Sequence, residues 1–252
     1  MLNLVVAAVV TLLMASSVQA QTSLPNQTEW SAESRTVLAF RVNPAALQRV
    51  LPEGWTSAPS TVPATAGANL TVTFMERVVV LDPKGAPVGS GTARYAVMSA
   101  AARNAAGQQN SIIVGGMSTQ GLGVYSVYVP AASTSLERTV TGSSQDQGRV
   151  RESWAFTADS GEKLSVDVTY RRGPATRTRV DSVIRSAAKP DFQRTYHIDQ
   201  TTDIVRGVNV ADRVDALAFS ATGPAFRQLF DGTQALVAVT AIPYYVRDIT
   251  VP

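Results

Sequence analysis

The sequence predicts a mainly β protein, an antiparallel barrel or sandwich with a few short helices. Apolar and polar residues alternate with a period of two along most of the chain, which is the pattern of half-buried strands. Turn-forming residues separate the alternating runs, and long helical periodicity is scarce. With a predicted leader removed, roughly 230 residues remain, which is enough for one closed core.

The N-terminal segment indicates a secretory signal peptide over residues 1–20. A mostly apolar run over residues 2–14 is followed by small residues, with Val18 and Ala20 at the two cleavage-pocket positions before Gln21. The run is shorter than the roughly 20 residues of a membrane-spanning helix. We therefore expect a secreted or periplasmic protein with a single domain over residues 21–252, released from the membrane after cleavage; an uncleaved membrane anchor is the alternative.

Composition excludes several function classes. The chain has no cysteine, which excludes thiol nucleophiles, thiolate metal sites and disulfides. The net charge of +3 comes from arginines spread along the chain, without a basic run interleaved with aromatic residues. Nucleic acid is therefore not an expected partner.

The clearest strand is predicted over residues 70–80 and ends at a turn that begins at Asp82. One face carries apolar residues and a single carboxylate: Leu70, Val72, Phe74, Glu76, Val78 and Val80. The opposite face carries Thr71, Thr73, Met75 and Arg77.

A β-hairpin is predicted around a turn at residues 159–162. Trp154 and Phe156 precede the turn, and Leu164, Val166, Val168 and Tyr170 follow it in alternation. Further β-like runs cover residues 35–42, 95–101, 111–115, 124–129, 192–198, 214–218 and 235–241.

Two short helices are expected. Asn43 is a good N-cap, Pro44 suits the first helical position, and the apolar run after them stops before Pro52. The second helix is expected over residues 225–230.

The C-terminal segment resembles the end of acetoacetate decarboxylases. It has a Gly-Pro turn at Gly223, a Gln-Leu-Phe-Asp segment at residues 228–231, and an Asp-Ile-x-x-Pro pattern at residues 248–252. Residues 38–53 resemble a strand, corner and short helix of the same family, and residues 189–192 resemble the start of one of its later strands. The resemblance implies a cone-like antiparallel β-barrel around a buried pocket.

The resemblance also implies an imine-forming lysine, which this chain lacks. In the family a lysine pair follows a Tyr-Pro dipeptide, and the pKa of the reactive lysine is lowered by an apolar pocket and by its neighbouring lysine. Here the matching segment runs from Tyr128 to Ala132, with alanines in place of the pair. The three lysines of the chain, Lys84, Lys163 and Lys189, all fall in predicted turns or at a strand entry.

Glu76 is the candidate catalytic acid or base. A carboxylate on an apolar strand face would be desolvated, which raises its pKa towards the range useful for proton transfer. It also matches a family pocket glutamate within about one residue of alignment slack. Two structural alternatives are a β-bulge near Met75 that turns Glu76 outward and a pairing with a nearby arginine.

Three further residues are candidates for substrate binding. Arg35 approximates a family arginine that faces the pocket, although a surface arginine is the alternative. Tyr128 matches the family tyrosine before the lysine pair. Tyr125 is three residues away, so on one strand only one of the two tyrosines faces the pocket. Met98 lies in the apolar segment where the family has its second glutamate.

Histidine chemistry and cofactors are not expected. His197 is the only histidine, so it cannot build a multi-histidine zinc site. Neither a nucleophile-elbow motif nor a phosphate-binding fingerprint is present. We expect neither a metal nor another cofactor.

Two hypotheses for the function remain open. The first is a divergent enzyme, a lyase-like relative of acetoacetate decarboxylases, that acts on a small keto acid or other carbonyl compound without an imine, using Glu76. The second is a non-catalytic β-barrel protein that binds a small molecule. The resemblance is also compatible with a homo-oligomer, because members of the family assemble.

Overall fold

Strands dominate the computed structural model, which describes residues 23–143 and 148–252. The predicted signal peptide at residues 1–20 lies outside the described residues. The strands are β1 (Gln27–Arg41), β2 (Trp55–Ser57), β3 (Leu70–Leu81), β4 (Ala93–Asn104), β5 (Gln109–Ser118), β6 (Val129–Pro130), β7 (Ser133–Thr141), β8 (Arg149–Thr157), β9 (Lys163–Arg171), β10 (Thr176–Ser186), β11 (Gln193–Arg206), β12 (Val214–Thr222) and β13 (Ala235–Thr250). The α-helices are α1 (Pro44–Gln48) and α2 (Pro224–Arg227), and a 3₁₀ turn covers Pro63–Thr65.

Seven of the described strands close into a ring. Their order is β4-β3-β1-β13-β11-β10-β5, and β5 pairs back with β4. All of these pairings are antiparallel except that of β5 with β10. This pairing is parallel and short: Ser111 pairs with Ile184, and Ile113 pairs with Ser186. The expected antiparallel barrel with a few short helices is confirmed.

A second sheet packs against the outside of the ring. Its order is β12-β9-β8-β7. The Phe74 ring of β3 lies 6.1 Å from the Trp154 ring and 6.2 Å from the Phe156 ring of β8. The main hydrophobic core therefore lies between the barrel wall and this sheet, and not inside the barrel.

Several predicted elements form as expected. Strand β3 covers the predicted run, and the turn after it closes with a hydrogen bond of 3.0 Å from the Gly85 amide to the Asp82 carbonyl. The predicted hairpin is β8 and β9, whose alternating residues Phe156 and Leu164 pair directly. Helix α1 begins where Asn43 accepts a hydrogen bond of 2.9 Å from the Ala45 amide, as its capping role predicts.

The strand predicted over residues 124–129 is wrong. Residues 119–126 form turns and only Val129 and Pro130 continue as a strand. Ser126 has a φ of 57°, in the left-handed region that an extended strand does not enter. Apolar residues alternate in this part of the sequence, but its backbone forms turns that lie against the barrel wall.

Two long strands escaped prediction because their apolar pattern is weak. In β10 the first six residues are exposed, so Thr and Arg alternate there without a buried face. In β7 most residues are exposed because the strand lies at the edge of the second sheet. Neither of the α-helices of the described residues has the length and apolar character of a membrane span.

Phe74 provides a test of the core between barrel and sheet. Phe74→Ala removes a fully buried ring and should lower the free energy of unfolding by about 3 to 5 kcal/mol. Val79→Ala on the same strand is the control, because Val79 is exposed and its truncation should cost less than about 0.5 kcal/mol. Urea unfolding of both variants measures the difference; equal losses would contradict the position of this core.

Candidate functional site

The barrel encloses a cavity of about 270 Å³ that all seven ring strands line. Its charged lining residues are Glu29, Arg35, Arg77, Arg194 and Arg247. Its tyrosines are Tyr95, Tyr125, Tyr128, Tyr196 and Tyr245. Apolar side chains such as Met75 and Ile113 complete the wall. We call this space the arginine–tyrosine cavity.

A buried carboxylate, Glu33, holds three of these arginines in place. Its Oε2 atom accepts hydrogen bonds of 2.8 and 2.6 Å from Nε and Nη2 of Arg35. Its Oε1 atom lies 2.9 Å from Nη2 of Arg247 and 3.3 Å from Nε of Arg77. The Ser31 hydroxyl donates to the same Oε1 atom at 2.8 Å. Because β1, β3 and β13 each supply one arginine, the cluster joins three neighbouring strands.

The charges of this cluster fix its protonation. Burial by itself would raise the pKa of Glu33, but Arg247, Arg35 and Arg77 lower it from 4.5 to about 2. Burial would lower the pKa of Arg247, yet Glu33, together with Tyr196, Tyr245 and Glu29, more than reverses this and the pKa is raised. Glu33 is therefore a permanent anion near neutral pH and cannot serve as a general acid or base.

The cavity has a surplus of positive charge. Arg77 also pairs with Glu29, so the two buried glutamates serve three of the four arginines. Arg194 has no ion-pair partner within residues 23–143 and 148–252, and its buried Nε atom has no hydrogen-bond partner there. Arg194 is half-buried and its guanidinium is not engaged by a carboxylate of the described chain, so it is the cavity arginine best able to pair with an entering anion.

The tyrosines supply hydrogen-bond donors. Burial raises the pKa of Tyr125 and of Tyr128, and burial likewise raises the pKa of Tyr245. The Tyr125 and Tyr196 hydroxyls lie 2.5 Å apart in a hydrogen bond, which raises the pKa of Tyr125 further. The hydroxyls of Tyr125, Tyr128 and Tyr245 therefore stay protonated near neutral pH and can donate to an anion or a carbonyl oxygen.

Stacking fixes two of the arginines against tyrosine rings. The guanidinium carbon of Arg35 lies 3.4 Å from the Tyr245 ring centre, and that of Arg247 lies 4.1 Å from the Tyr196 ring centre. Cation–π contacts of this kind hold a guanidinium in one orientation. The cavity is thus organised before any ligand enters.

The structure places Glu76 outside the arginine–tyrosine cavity, which corrects its predicted position. Glu76 shares its strand face with Phe74, and that face packs on the second sheet, whereas Thr73, Met75 and Arg77 on the other face line the cavity. Glu76 lies at the margin of that interface, where its Oε1 atom accepts a hydrogen bond of 2.9 Å from Arg94. The prediction placed the catalytic residue on the most apolar face of β3, but that face packs in the core between the two sheets and does not line the cavity.

Met98 also lies outside the cavity. It is fully buried in the core between barrel and second sheet, opposite Val72 on the neighbouring strand. Its neighbour Val97 points into the cavity instead. The prediction chose the wrong face of β4, as it did for β3. Successive residues of β4 point alternately to the core between the two sheets and to the cavity.

Arg35 and Tyr128 both line the cavity, and Tyr125 joins them. The prediction that only one of the two tyrosines could face the pocket assumed a strand. Since residues 119–126 are a turn, Tyr125 and Tyr128 reach the same space. The Tyr128 hydroxyl has no hydrogen-bond partner within the described chain and is free to meet a ligand.

Sequence reasoning missed Glu33, Arg194 and Arg247. A usable signal existed in β13, where Tyr245, Arg247 and Ile249 follow one another with a period of two and all are buried. Polar residues on the inner face of a barrel strand look like surface residues in a sequence. Only ring closure shows that this face is enclosed.

The lysines lie away from the cavity. Lys84, Lys163 and Lys189 are exposed, and none of them lines the cavity. Ala131 and Ala132 are also outside it; their amides donate to the Ser118 and Thr157 carbonyls at 2.9 and 2.8 Å. This geometry gives no support to imine chemistry.

His197 belongs to the outer surface of the barrel. Its Nδ1 atom lies 2.9 Å from Asp181 and its Nε2 atom 3.2 Å from the Thr250 hydroxyl. Among residues 23–143 and 148–252, no group of three His, Cys, Asp or Glu side chains is arranged to hold a metal ion.

Solved structures share this fold. An enduracididine biosynthesis enzyme, MppR, in complex with the condensation product of pyruvate and imidazole 4-carboxaldehyde, aligns with a TM-score of 0.57 and 12% identity over 90% of this chain and 89% of its own. An acetoacetate decarboxylase-like enzyme from Sphingomonas wittichii RW1 aligns with a TM-score of 0.52 and 15% identity over 96% of this chain and 98% of its own. The chain therefore has the acetoacetate decarboxylase-like fold that its sequence predicts.

Comparison of the sequence alone with known families and curated proteins identifies no relative. No protein-family model matches the chain, and no curated protein matches it significantly.

Replacement of Glu33 should destabilise the protein in a pH-dependent way. Glu33→Gln leaves Arg35 and Arg247 without their anion and Arg77 with Glu29 alone, and should lower the free energy of unfolding at pH 7 by about 3 to 5 kcal/mol. The folded-state pKa of Glu33 is depressed, so its stabilisation is complete above pH 4.5 and is lost as the pH falls towards 2. That titration corresponds to about 3 kcal/mol.

Urea unfolding of wild type and variant between pH 7 and pH 2 measures this effect. The difference between them should shrink as the pH falls from 4.5 towards 2, because the unfolded wild-type chain then binds a proton at Glu33 that the folded protein does not. Glu53→Gln is the control, since Glu53 is exposed and the substitution should change stability by less than about 0.5 kcal/mol. A difference between Glu33→Gln and wild type that does not change with pH would contradict the ion-pair cluster.

Proposed function

We propose that this protein binds a small anionic carbonyl compound, of the keto acid class, in the arginine–tyrosine cavity without forming an imine. The observation that carries the proposal is the cavity's unbalanced charge: four arginines line it, and Arg194 has no ion-pair partner in the described chain. A carboxylate matches a guanidinium in charge and in geometry. The carbonyl oxygen of the ligand would accept a hydrogen bond from a protonated tyrosine such as Tyr128.

The size and lining of the cavity support a small ligand. About 270 Å³ suits a molecule of a few to a dozen heavy atoms. Met75, Val97 and Ile113 offer an apolar wall for its short chain. The similarly folded enzyme MppR was solved with a condensation product of pyruvate and an aldehyde, which supports a ligand of this chemical class.

Non-catalytic binding is the function that the cavity supports best. Both buried glutamates are engaged by arginines, and the pKa of Glu33 is lowered to about 2. The raised pKa values of Tyr125 and Tyr128 keep them as proton donors. Donors bind and polarise a carbonyl group, but proton abstraction from the ligand also needs a base.

Catalysis is the second candidate, and one observation favours it. The Tyr125 and Tyr196 hydroxyls form a short pair beside Arg247, which is the kind of donor set that stabilises an enolate. Such an enzyme would act by enolisation, aldol or dehydration chemistry. Glu76 would not be its base, because its carboxylate lies outside the cavity.

Arg194 is the residue whose replacement tests binding most directly. Wild type should bind pyruvate, and Arg194→Gln should weaken binding by about tenfold or more, since one charge-assisted hydrogen bond is lost. Isothermal titration calorimetry measures both dissociation constants. Arg103→Gln is the matched control: Arg103 is exposed, and its replacement should leave affinity unchanged.

Three outcomes decide the details of this proposal. Failure of wild type to bind pyruvate or any of a panel of small keto acids would refute it, and so would an equal effect of the two substitutions. A borohydride-stable adduct on a lysine would refute non-imine binding. Exchange of the pyruvate methyl protons for deuterium, faster than in buffer and slowed by Tyr128→Phe, would favour the enzyme over the carrier.

We also propose that the protein is exported, with a signal peptide at residues 1–20 and one domain over residues 21–252. The support is the apolar run followed by small residues at Val18 and Ala20. Expressed from its own start in a bacterial host, the protein should be recovered from the periplasm with Gln21 as its first residue by mass spectrometry. A soluble cytoplasmic product that keeps residues 1–20 would contradict export.

A further inference from the structure

A second cavity, of about 410 Å³, lies between the barrel and the second sheet. The barrel contributes Arg35 of β1, Asp203 of β11 and residues 241–243 of β13. The second sheet contributes Arg138 of β7, Val150 and Glu152 of β8 and Tyr170 of β9, and the chain after β9 adds Arg172 and Gly173. Arg35 borders both this inter-sheet cavity and the arginine–tyrosine cavity.

The two carboxylates of the inter-sheet cavity are already neutralised. Glu152 accepts hydrogen bonds from the Thr36 hydroxyl at 2.5 Å, from Arg138 at 2.9 Å and from the Trp154 indole at 3.1 Å. Asp203 pairs with Arg213 and accepts a hydrogen bond of 2.8 Å from the Gly173 amide. Neither of them needs a further donor.

Two donors of this cavity, Tyr170 and Arg172, have no partner in the described chain. The Tyr170 side chain is 4% exposed, yet its hydroxyl has no hydrogen-bond partner within residues 23–143 and 148–252. The Arg172 guanidinium likewise has no ion-pair partner there, although its backbone is fixed by a hydrogen bond of 3.0 Å from its amide to the Gly148 carbonyl. Burial raises the pKa of Tyr170, so its hydroxyl remains a donor near neutral pH.

A tyrosine hydroxyl and a guanidinium that border one cavity, both without a protein partner in the described chain, can together bind an oxyanion. We propose that the inter-sheet cavity binds the oxyanion group, phosphate or carboxylate, of a second small molecule. Tyr170 donates one hydrogen bond to it and Arg172 supplies the charge at the cavity's exposed end. This site does not depend on the function proposed for the arginine–tyrosine cavity.

Inorganic phosphate and acetate are the probes that test this site. At low ionic strength, calorimetry should detect binding of at least one of them to wild type, and the preferred probe identifies the kind of oxyanion. Arg172→Gln and Tyr170→Phe should each weaken that binding, by about tenfold and about threefold respectively, since they remove a charged and a neutral hydrogen bond. Tyr170→Phe keeps the buried ring, so the fold should survive, and circular dichroism checks this.

Two matched controls separate this site from general electrostatics and from the first cavity. Arg171→Gln removes the same charge one residue away, from a side chain that faces Asp215, and should leave binding unchanged. Tyr128→Phe alters only the arginine–tyrosine cavity and should also leave it unchanged. The proposal is overturned if neither probe binds, if the Arg171 and Arg172 variants lose affinity equally, or if Tyr128→Phe abolishes binding while Tyr170→Phe does not.

Discussion

The salt-bridge cluster around Glu33 is the interaction on which the barrel interior depends. Arg77, Arg35 and Arg247 come from the adjacent strands β3, β1 and β13, and their side chains point to the same enclosed space. Three guanidinium groups could not share that space without an anion among them, because unpaired buried charges cost several kcal/mol each. Glu33 supplies the anion with its side chain fully buried, and so ties three strands in one register.

Strand β3 buries residues on both of its faces, and this explains where the cavity lies. One face of β3 packs Phe74 on Trp154 and Phe156 of the second sheet, while the other presents Met75 and Arg77 to the interior. The face between the two sheets is the more apolar because it must exclude water by close packing. The inner face can be polar, since ion pairs satisfy most of its charges.

Both cavities are lined by donors in excess of acceptors. In each of them the carboxylates are engaged by arginine, whereas tyrosine hydroxyls and one arginine remain without a partner in the described chain. This shared chemistry favours anions at both places, and Arg35 stands at the border between them. The fold is that of acetoacetate decarboxylase-like enzymes, but the chemistry of the site follows from its side chains and not from the fold.

The sequence by itself determined the strands with clear alternation, the capped helix at Asn43, the hairpin of β8 and β9 and, through the resemblance of its C-terminal end, the fold. The sequence also indicated that Arg35 and Tyr128 face the cavity. Only the tertiary structure decided which face of β3 lines the cavity, that Tyr125 joins Tyr128 there, and that Arg194 and Arg247 share the space with them. The physical reason is that a period of two separates the faces of a strand without saying which is enclosed, and enclosure depends on pairings between residues far apart in the chain.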